Sequence, residues 1–267
     1  IVSQGGDYDF SLTRIVAEQG KHGLVNYGTG HSLSSLPSID RTLCQWKLYS
    51  RMGNYLYRPG THGYSARDCW WRHEGGCTFF KNYRQLSVDQ FMADVESAHA
   101  LGAREYFDDA GTWAPPGRWF DQATRLLTDF NSGKRHHRAP MAIGCNDRPG
   151  ARGREEYARM GHAGFRFVLF GLESANLQTL QRINKGQHAE DMRNAARDAS
   201  QAGLQPHLTV MFGYQWETKD ECYKAAVTPR YILKKVLTIR TRDDLRFFWR
   251  GFKFWWGHLK DFAYGHV

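Results

Sequence analysis

The middle of the chain alternates between apolar residues at helical spacing and short runs that are almost continuously apolar. The clearest helix follows Ser87, a typical N-cap, and extends to about Leu101 with Phe91, Val95 and Ala98 on one face. The same period predicts further helices over Tyr8–Gln19, Arg118–Phe130, Arg154–His162, Asn176–Ile183, His188–Ala202 and Glu217–Ala226.

The short apolar runs between these helices predict strands. Phe165–Leu172, read as F-R-F-V-L-F-G-L, is nearly continuous in apolar character, which is typical of a strand buried on both faces. Further strands are predicted over Glu105–Phe107, Met141–Cys145 and Leu204–Phe212, and an extended run over Thr61–Asp68 precedes them. Five successive βα units indicate a parallel sheet with right-handed crossovers. The predicted fold class is therefore α/β, a partial TIM-like barrel.

Composition is that of a soluble globular protein. The 267 residues are 41% hydrophobic and 24% charged, and a chain of this length can bury a core without covalent staples. Five cysteines are an odd, low count for a secreted disulfide scaffold, so we expect a reducing, cytoplasmic location. No apolar run reaches 18 residues, and the N-terminus lacks the basic and apolar parts of a signal peptide. The first residue is not Met, so we expect a fragment or a processed product.

Positive charge is concentrated in the last forty residues. Thr228–Val267 carries nine Lys and Arg against three Asp and Glu, which is +6 of the net +9. Within it, Leu245–Tyr264 interleaves nine aromatic residues with basic ones and predicts a basic, aromatic helical tail. Three interpretations stay open: packing onto the barrel, peripheral contact with an anionic membrane surface through 245–264, and binding of single-stranded nucleic acid, the least favoured.

Candidate chemistry begins with the segment from Cys69 to Phe80, C-W-W-R-H-E-G-G-C-T-F-F. Cys69 and Cys77 stand in a glycine-rich, aromatic loop, and thiolates on a flexible backbone can turn inward to hold a metal centre. The alternative is that the two cysteines are inert or pair with each other.

Polar residues follow the later predicted strands. They are Asp108-Asp109, Cys145-Asn146, Glu173-Ser174 and the turn from Gly213 to Glu217. Ligands of parallel α/β folds bind at the carboxyl ends of the strands, so this arrangement predicts a metal centre beside a polar small molecule. Two alternatives stay open, namely that the aspartates cap the next turn and that Glu173 is a helix-start carboxylate.

The order of these motifs resembles the radical S-adenosylmethionine superfamily. The cysteine loop is followed by F-D-D-A-G-T-W, G-C-N, F-G-L-E-S-A-N, R-I-N-K-G and L-T-V-M-F-G-Y-Q-W-E-T, so the resemblance covers roughly Leu36–Tyr223. It is closer to the branch that carries a cobalamin-binding domain ahead of the radical domain. On this basis residues 1–50 resemble a remnant of that domain and its linker, 51–227 the partial barrel and 228–267 a tail.

The resemblance implies a definite chemistry. In the family, three cysteines hold a [4Fe-4S] cluster whose fourth iron binds S-adenosylmethionine, and one electron from a donor such as flavodoxin or ferredoxin cleaves it to a 5′-deoxyadenosyl radical. The radical abstracts hydrogen from a substrate, here an unidentified small or lipid-like molecule, leading to methylation, cyclisation or rearrangement. Cobalamin is a further cofactor of this branch.

Site residues carry over from the resemblance position by position. Cys69 and Cys77 match the first two cluster ligands. Asp108 and Asp109 match the contacts to the amino group of S-adenosylmethionine. Glu173 matches a partner of its ribose or methionine portion, and Gly213 matches the turn beside its adenine.

Three departures from the family pattern bear on activity. Phe80 stands where the third cluster cysteine is expected, and an insertion around Arg72–Gly75 lengthens the loop. After Val227 the usual sixth strand and helix do not follow, which indicates a truncated copy. Cys145 is one candidate replacement for the missing ligand. The sequence therefore leaves two hypotheses, an enzyme domain and an inactive remnant that acts only by binding or association.

Overall fold

Five parallel strands form the central sheet. The computed structural model describes residues 32–50, 56–71, 83–133, 139–174, 176–211, 214–218 and 220. The sheet contains β1 (Gly60–Gly63), β4 (Glu105–Asp108), β5 (Ala142–Asp147), β6 (Phe165–Glu173) and β7 (Gln205–Val210), in the spatial order β1-β4-β5-β6-β7. Neighbouring strands therefore follow one another with helical crossovers, as the alternating pattern predicted.

Helices connect the strands. They are α1 (Trp46–Tyr49), α2 (Val88–Ala100), α3 (Arg118–Asn131), α4 (Arg154–Ala163), α5 (Leu177–Arg182) and α6 (Ala189–Gln201). Ser87 caps α2 in a reciprocal arrangement with Gln90, so the predicted start of this helix is confirmed. Within the described residues the sheet stays open, with β1 and β7 at its edges, which confirms a partial barrel. The predicted N-terminal and C-terminal helices, Tyr8–Gln19 and the 245–264 tail, lie outside the described residues.

The structure divides the predicted extended run over Thr61–Asp68 into two short strands. β1 ends at Gly63, and the two-residue strand β2 (Ala66–Arg67) pairs antiparallel with β3 (Arg84–Gln85). The chain leaves the sheet because the Ser65 amide donates a hydrogen bond to the Asp108 side chain at 3.0 Å rather than to a neighbouring strand. This break directs the described start of the cysteine loop, Cys69–Trp71, to the carboxyl edge of the sheet.

Strand alternation decides which side chains face the helices. The Tyr106 hydroxyl donates to Asp94 of α2 at 2.8 Å, so Tyr106 faces the helix layer. Asp108 lies two residues further on and shares that face, and its register partner on β5 is Cys145. Phe107 points to the opposite face and packs against Phe167 of β6. The helix-facing side is the main hydrophobic core, and Cys145 is fully buried in it.

A buried ion pair fastens the segment before β1 to the sheet. Arg41 makes a two-pronged contact with Asp94, at 2.7 and 2.9 Å. The same guanidinium donates to the Thr61 hydroxyl and the His62 carbonyl of β1. Both side chains are almost entirely buried, so the residues preceding the barrel are held at a fixed position beside α2.

A buried carboxyl group lies at the amino end of β4. Glu105 accepts a hydrogen bond from the Tyr57 amide at 2.7 Å, but burial outweighs this contact and raises its pKa to about 7. Because the folded-state pKa lies above the ordinary value, the fold favours the neutral form. This group therefore stabilises the fold least at pH values above 7.

Glu105→Gln is expected to remove this pH dependence. The free energy of unfolding of the natural chain should fall between about pH 4.5 and 7, and the variant should be more stable above pH 7 by up to about 3 kcal/mol. Urea unfolding at several pH values measures the difference. Glu96→Gln, on an exposed position of α2, is the matched control and should leave the pH dependence unchanged. An equal response of both variants would contradict the role of burial at Glu105.

No helix within the described residues is both long enough and apolar enough to cross a membrane.

Candidate functional site

An open cleft of about 700 Å³ lies at the carboxyl ends of the first strands. Its walls come from the segment before β1, from β1 and the turn after it, and from the ends of β4 and β5. The lining includes Ile39, His62, Tyr64, Asp68, Asp109 and Asn146. The cleft thus forms where the sequence predicted a ligand site. Its polar lining combines the carboxylates of Asp68 and Asp109 with the cationic Arg67 and the neutral polar residues His62, Tyr64 and Asn146.

Asp109 is the predicted site residue that the cleft exposes. Its amide donates to the Gly63 carbonyl at 2.9 Å, which fixes the residue just beyond the end of β4. Its carboxylate is exposed and lines the cleft, 3.4 Å from the amide nitrogen of Asn146. An exposed carboxylate held by its backbone is a suitable acceptor for a ligand ammonium group.

Asp108 is placed differently, although it is adjacent in sequence. One of its carboxylate oxygens accepts hydrogen bonds from the amides of Ser65 and Ala110, each at 3.0 Å. The side chain is fully buried on the helix-facing side, and burial raises its pKa to about 6. Asp108 joins the turn after β1 to the turn after β4. Its predicted contact with a ligand stays a prediction, and in this structure its carboxylate is inaccessible to solvent.

The start of the cysteine loop is anchored on two other loops. The Cys69 sulfur lies 3.0 Å from the Thr112 hydroxyl, and the Trp70 indole donates to the Trp113 carbonyl at 2.9 Å. The Arg148 guanidinium stacks on the Trp71 ring, 3.7 Å from its centroid. Three consecutive residues are thus fixed to the segments that follow β4 and β5, and Cys69 is directed along the rim of the sheet.

The other predicted cluster positions, Cys77 and Phe80, lie outside the described residues. Cys145, the candidate replacement ligand, is buried in the core between the sheet and the helices, and burial raises the pKa of its thiol. A neutral, enclosed thiol on that face does not reach the rim that carries Cys69. Within the described part of the chain, no group of three His, Cys, Asp or Glu residues could hold a metal ion.

Glu173, at the end of β6, is held by an ion pair that the sequence analysis missed. Lys185 donates to its carboxylate at 2.8 Å, and both side chains are partly exposed. The backbone of Glu173 is left-handed, with φ of 58°, and its carbonyl accepts from the Met211 amide at 2.8 Å. A non-glycine residue in this conformation costs on the order of 1 kcal/mol, so the surrounding contacts hold it there.

Gly171 makes room for this ion pair. A Cβ atom at position 171 would lie 2.6 Å from a Glu173 carboxylate oxygen and 2.9 Å from the Lys185 ammonium. The chain between the two charged residues forms α5 and returns through Asn184, which is also left-handed with φ of 52°. The segment R-I-N-K-G therefore serves to bring Lys185 back to the end of β6. Lys185 and Glu173 are twelve residues apart with a helix between them, so no local sequence pattern predicts their contact.

Gly213, the fourth predicted ligand contact, lies outside the described residues. The next residue, Tyr214, donates its amide to the carboxylate of Glu217 at 3.4 Å, and Glu217 is another residue to which the sequence analysis gave no role. The Glu217 carboxylate accepts from the hydroxyls of Ser174 and Thr179 at 3.3 and 3.1 Å. It thereby links the turn after β7 to the turn after β6, on the same carboxyl edge as Asp109 and Glu173.

No known protein-family model matches this chain, and no curated protein does either. Solved structures do match. The radical S-adenosylmethionine methyltransferase TsrM from Kitasatospora setae, with tryptophan substrate and an S-adenosylmethionine analogue bound, aligns with a TM-score of 0.54 and 14% identity over 65% of this chain and 34% of that one. TsrM with cobalamin and a [4Fe-4S] cluster bound aligns with a TM-score of 0.50 and 14% identity, over 65% and 32%.

A third structure, the cobalamin-dependent S-adenosylmethionine radical enzyme OxsB, gives a TM-score of 0.49 and 16% identity over 64% of this chain and 26% of that one. The matched part spans about a third of the TsrM chain. At these identities the likeness concerns the fold. The structural neighbours are radical S-adenosylmethionine enzymes, cobalamin-dependent ones among them, and the chain has the α/β fold that the resemblance implied.

Proposed function

We propose that this chain is a radical S-adenosylmethionine domain whose rim binds S-adenosylmethionine. The observation that carries the proposal is the exposed Asp109 carboxylate, which lines the cleft at the carboxyl edge of the sheet. Glu173 lies outside the cleft lining, at the carboxyl end of β6 on the same edge. Asp109 would accept hydrogen bonds from the ammonium group of the methionine portion, and Glu173 would accept from the ribose hydroxyls. The fold shared with TsrM supports this placement.

The residues present do not fit a complete [4Fe-4S] cluster. Three thiolates are expected, and the loop supplies Cys69 and Cys77 with Phe80 in the third position. A phenyl ring has no lone pair to donate to iron, and the burial of Cys145 keeps that thiol away from the rim. When bound in such domains, a cluster supplies the electron that cleaves S-adenosylmethionine.

Two functional outcomes follow from this donor set. In the first, a ligand other than Cys69 and Cys77 completes the cluster. The domain then abstracts hydrogen from a small or lipid-like substrate, and an electron donor and cobalamin are further partners. In the second, the chain binds S-adenosylmethionine without radical chemistry, as an inactive remnant. Because the loop lacks one of the three expected thiolates, the second outcome is favoured. Both outcomes use the same rim carboxylates, Asp109 and Glu173.

Asp109→Asn is expected to weaken the binding of S-adenosylmethionine by about tenfold or more. A hydrogen bond between charged groups contributes about 1.5–3 kcal/mol, and the amide keeps the shape of the side chain but loses the charge. Isothermal titration of the full chain with S-adenosylmethionine measures the change. Asp129→Asn, on an exposed position of α3 away from the cleft, is the matched control. Equal affinities of the two variants would refute the assignment of Asp109.

Lys185 provides a second test at the same rim. Lys185→Met should lower the affinity for S-adenosylmethionine, because Glu173 loses the contact that holds its carboxylate over Gly171. Lys185→Arg keeps a positive charge at this position and should retain most of the affinity. The same titration distinguishes these results. If Lys185→Met and Lys185→Arg bind equally well, the ion pair does not position Glu173 for the ligand.

A further inference from the structure

An exposed aromatic surface lies at the β7 edge of the sheet. It consists of Met211, Tyr214 and Trp216, and is called here the β7-edge patch. Met211 is 52% exposed and Trp216 is 37% exposed. Large hydrophobic side chains at this level of exposure are few within the described residues, and these two stand five residues apart in the chain. Contiguous exposed apolar side chains mark interaction surfaces more often than scattered single ones do.

The patch is rigid. The Tyr214 and Trp216 rings stack with their centroids 5.3 Å apart, and the Tyr214 hydroxyl donates to the Met211 sulfur at 3.4 Å. The Trp216 indole donates to the Thr179 hydroxyl at 3.1 Å, and Glu217 accepts from the Tyr214 amide at 3.4 Å. Aromatic side chains that are already ordered lose little conformational entropy when a partner packs on them.

The patch also continues an open edge. β7 pairs with β6 on one side, and within the described residues no strand pairs on its other side. Leu208 and Val210 of β7 pack against the core but stay only partly buried. A parallel strand of an α/β sheet is normally covered on both faces, so this edge is the part of the fold that most requires further chain.

We propose that the β7-edge patch is the docking surface of the chain's own C-terminal segment, Leu245–Tyr264. That segment carries nine aromatic residues, and it follows the patch in the chain, since the described residues end at Asp220. Aromatic pairs contribute about 0.5–1.5 kcal/mol each beyond the area they bury, so a few such contacts with Tyr214 and Trp216 suffice for docking. This inference is independent of ligand binding at the rim.

Tethering favours this occupant over a second copy of the chain. The predicted helix Glu217–Ala226 is followed by residues 227–244 before the aromatic segment begins, and this stretch spans at most about 60 Å, so distance does not prevent docking. Tethering within one chain gives effective concentrations on the order of a millimolar, well above a micromolar protein solution. An intramolecular contact therefore forms before an intermolecular one with the same surfaces.

Site-specific photocrosslinking tests the proposal on the full chain. Met211 is replaced by the photoreactive residue p-benzoylphenylalanine, and the protein is mixed with an equal amount of ¹⁵N-labelled protein before irradiation. We expect crosslinks to peptides from Leu245–Tyr264 in which both halves carry the same isotope. The matched control places the photoreactive residue at Leu48, an exposed position of α1, and should give no such crosslink. Crosslinks of mixed isotope would assign the patch to a second copy and overturn the proposal.

Hydrogen exchange gives an independent readout that needs no photoreactive residue. Trp216→Ala should accelerate amide exchange in Leu245–Tyr264 by tenfold or more, whereas Leu48→Ala should leave it unchanged. Rapid exchange of this segment in the natural chain, together with absence of the crosslink, would overturn the proposal. If the natural chain then co-sediments with phosphatidylserine vesicles, the segment binds a membrane surface instead.

Discussion

Phe80→Cys is expected to raise the iron content after anaerobic reconstitution from well below one cluster to about four iron atoms per chain. The substitution supplies the third thiolate that the loop lacks, and Cys69 is already fixed on the rim by its contacts and those of Trp70. Three thiolates are the set that the resemblance expects for a [4Fe-4S] cluster. Iron and sulfide analysis, with the absorbance of the cluster, measures the result.

The neighbouring residue offers a matched control for this change. Phe79→Cys adds a thiol to the same loop one position away, and it should not create a stoichiometric cluster. Cys69→Ser in the Phe80→Cys background should abolish the gain. Equal iron in the Phe79→Cys and Phe80→Cys variants would indicate unspecific binding. A full cluster in the natural chain would show that another ligand completes the site, and Cys145→Ala should not disturb that cluster, because Cys145 is buried in the core.

Asp94→Ala is expected to destabilise the fold by about 3–5 kcal/mol. The substitution leaves the Arg41 guanidinium buried without its carboxylate partner, and an uncompensated buried charge is among the most damaging single changes. The Tyr106 hydroxyl loses its acceptor at the same time. Urea unfolding followed by circular dichroism measures the loss.

The controls separate the ion pair from a general effect on α2. Glu96→Ala changes an exposed carboxylate of the same helix and should cost less than about 0.5 kcal/mol. The double variant Arg41→Met with Asp94→Leu removes both charges and should be markedly more stable than Asp94→Ala alone. If Asp94→Ala and Glu96→Ala unfold at the same urea concentration, the ion pair does not hold the segment before β1 to the sheet.

The Arg41–Asp94 pair also has a consequence for the cleft. Ile39, two residues before Arg41, forms part of the cleft wall, so the segment before β1 belongs to the candidate site. The resemblance assigned residues 1–50 only to a remnant domain and its linker, outside the barrel and its site. A buried contact between residues 53 positions apart leaves no periodic trace, so the sequence did not reveal it.

Local pattern determined most of the architecture. The apolar spacing behind Ser87, the continuous apolar run of β6 and the helix–strand alternation each reflect short-range geometry, in which side chains recur every 3.6 or two residues. These features predicted the parallel sheet and the identity of the strand ends that carry the site, and the structure confirms the fold class. The sequence by itself also determined the deficit at Phe80, because the resemblance identifies the third cluster position and the residue there is read directly from the chain.

Only the tertiary structure decided which of these candidates reach the cleft. Asp108 and Asp109 are adjacent and chemically identical, yet strand alternation buries the first against the helices and leaves the second exposed. The same alternation encloses Cys145 in the core. Lys185 reaches Glu173 because α5 and a left-handed turn return the chain to the end of β6. Such placements depend on contacts between distant residues, and these form only when the sheet and its helices pack together.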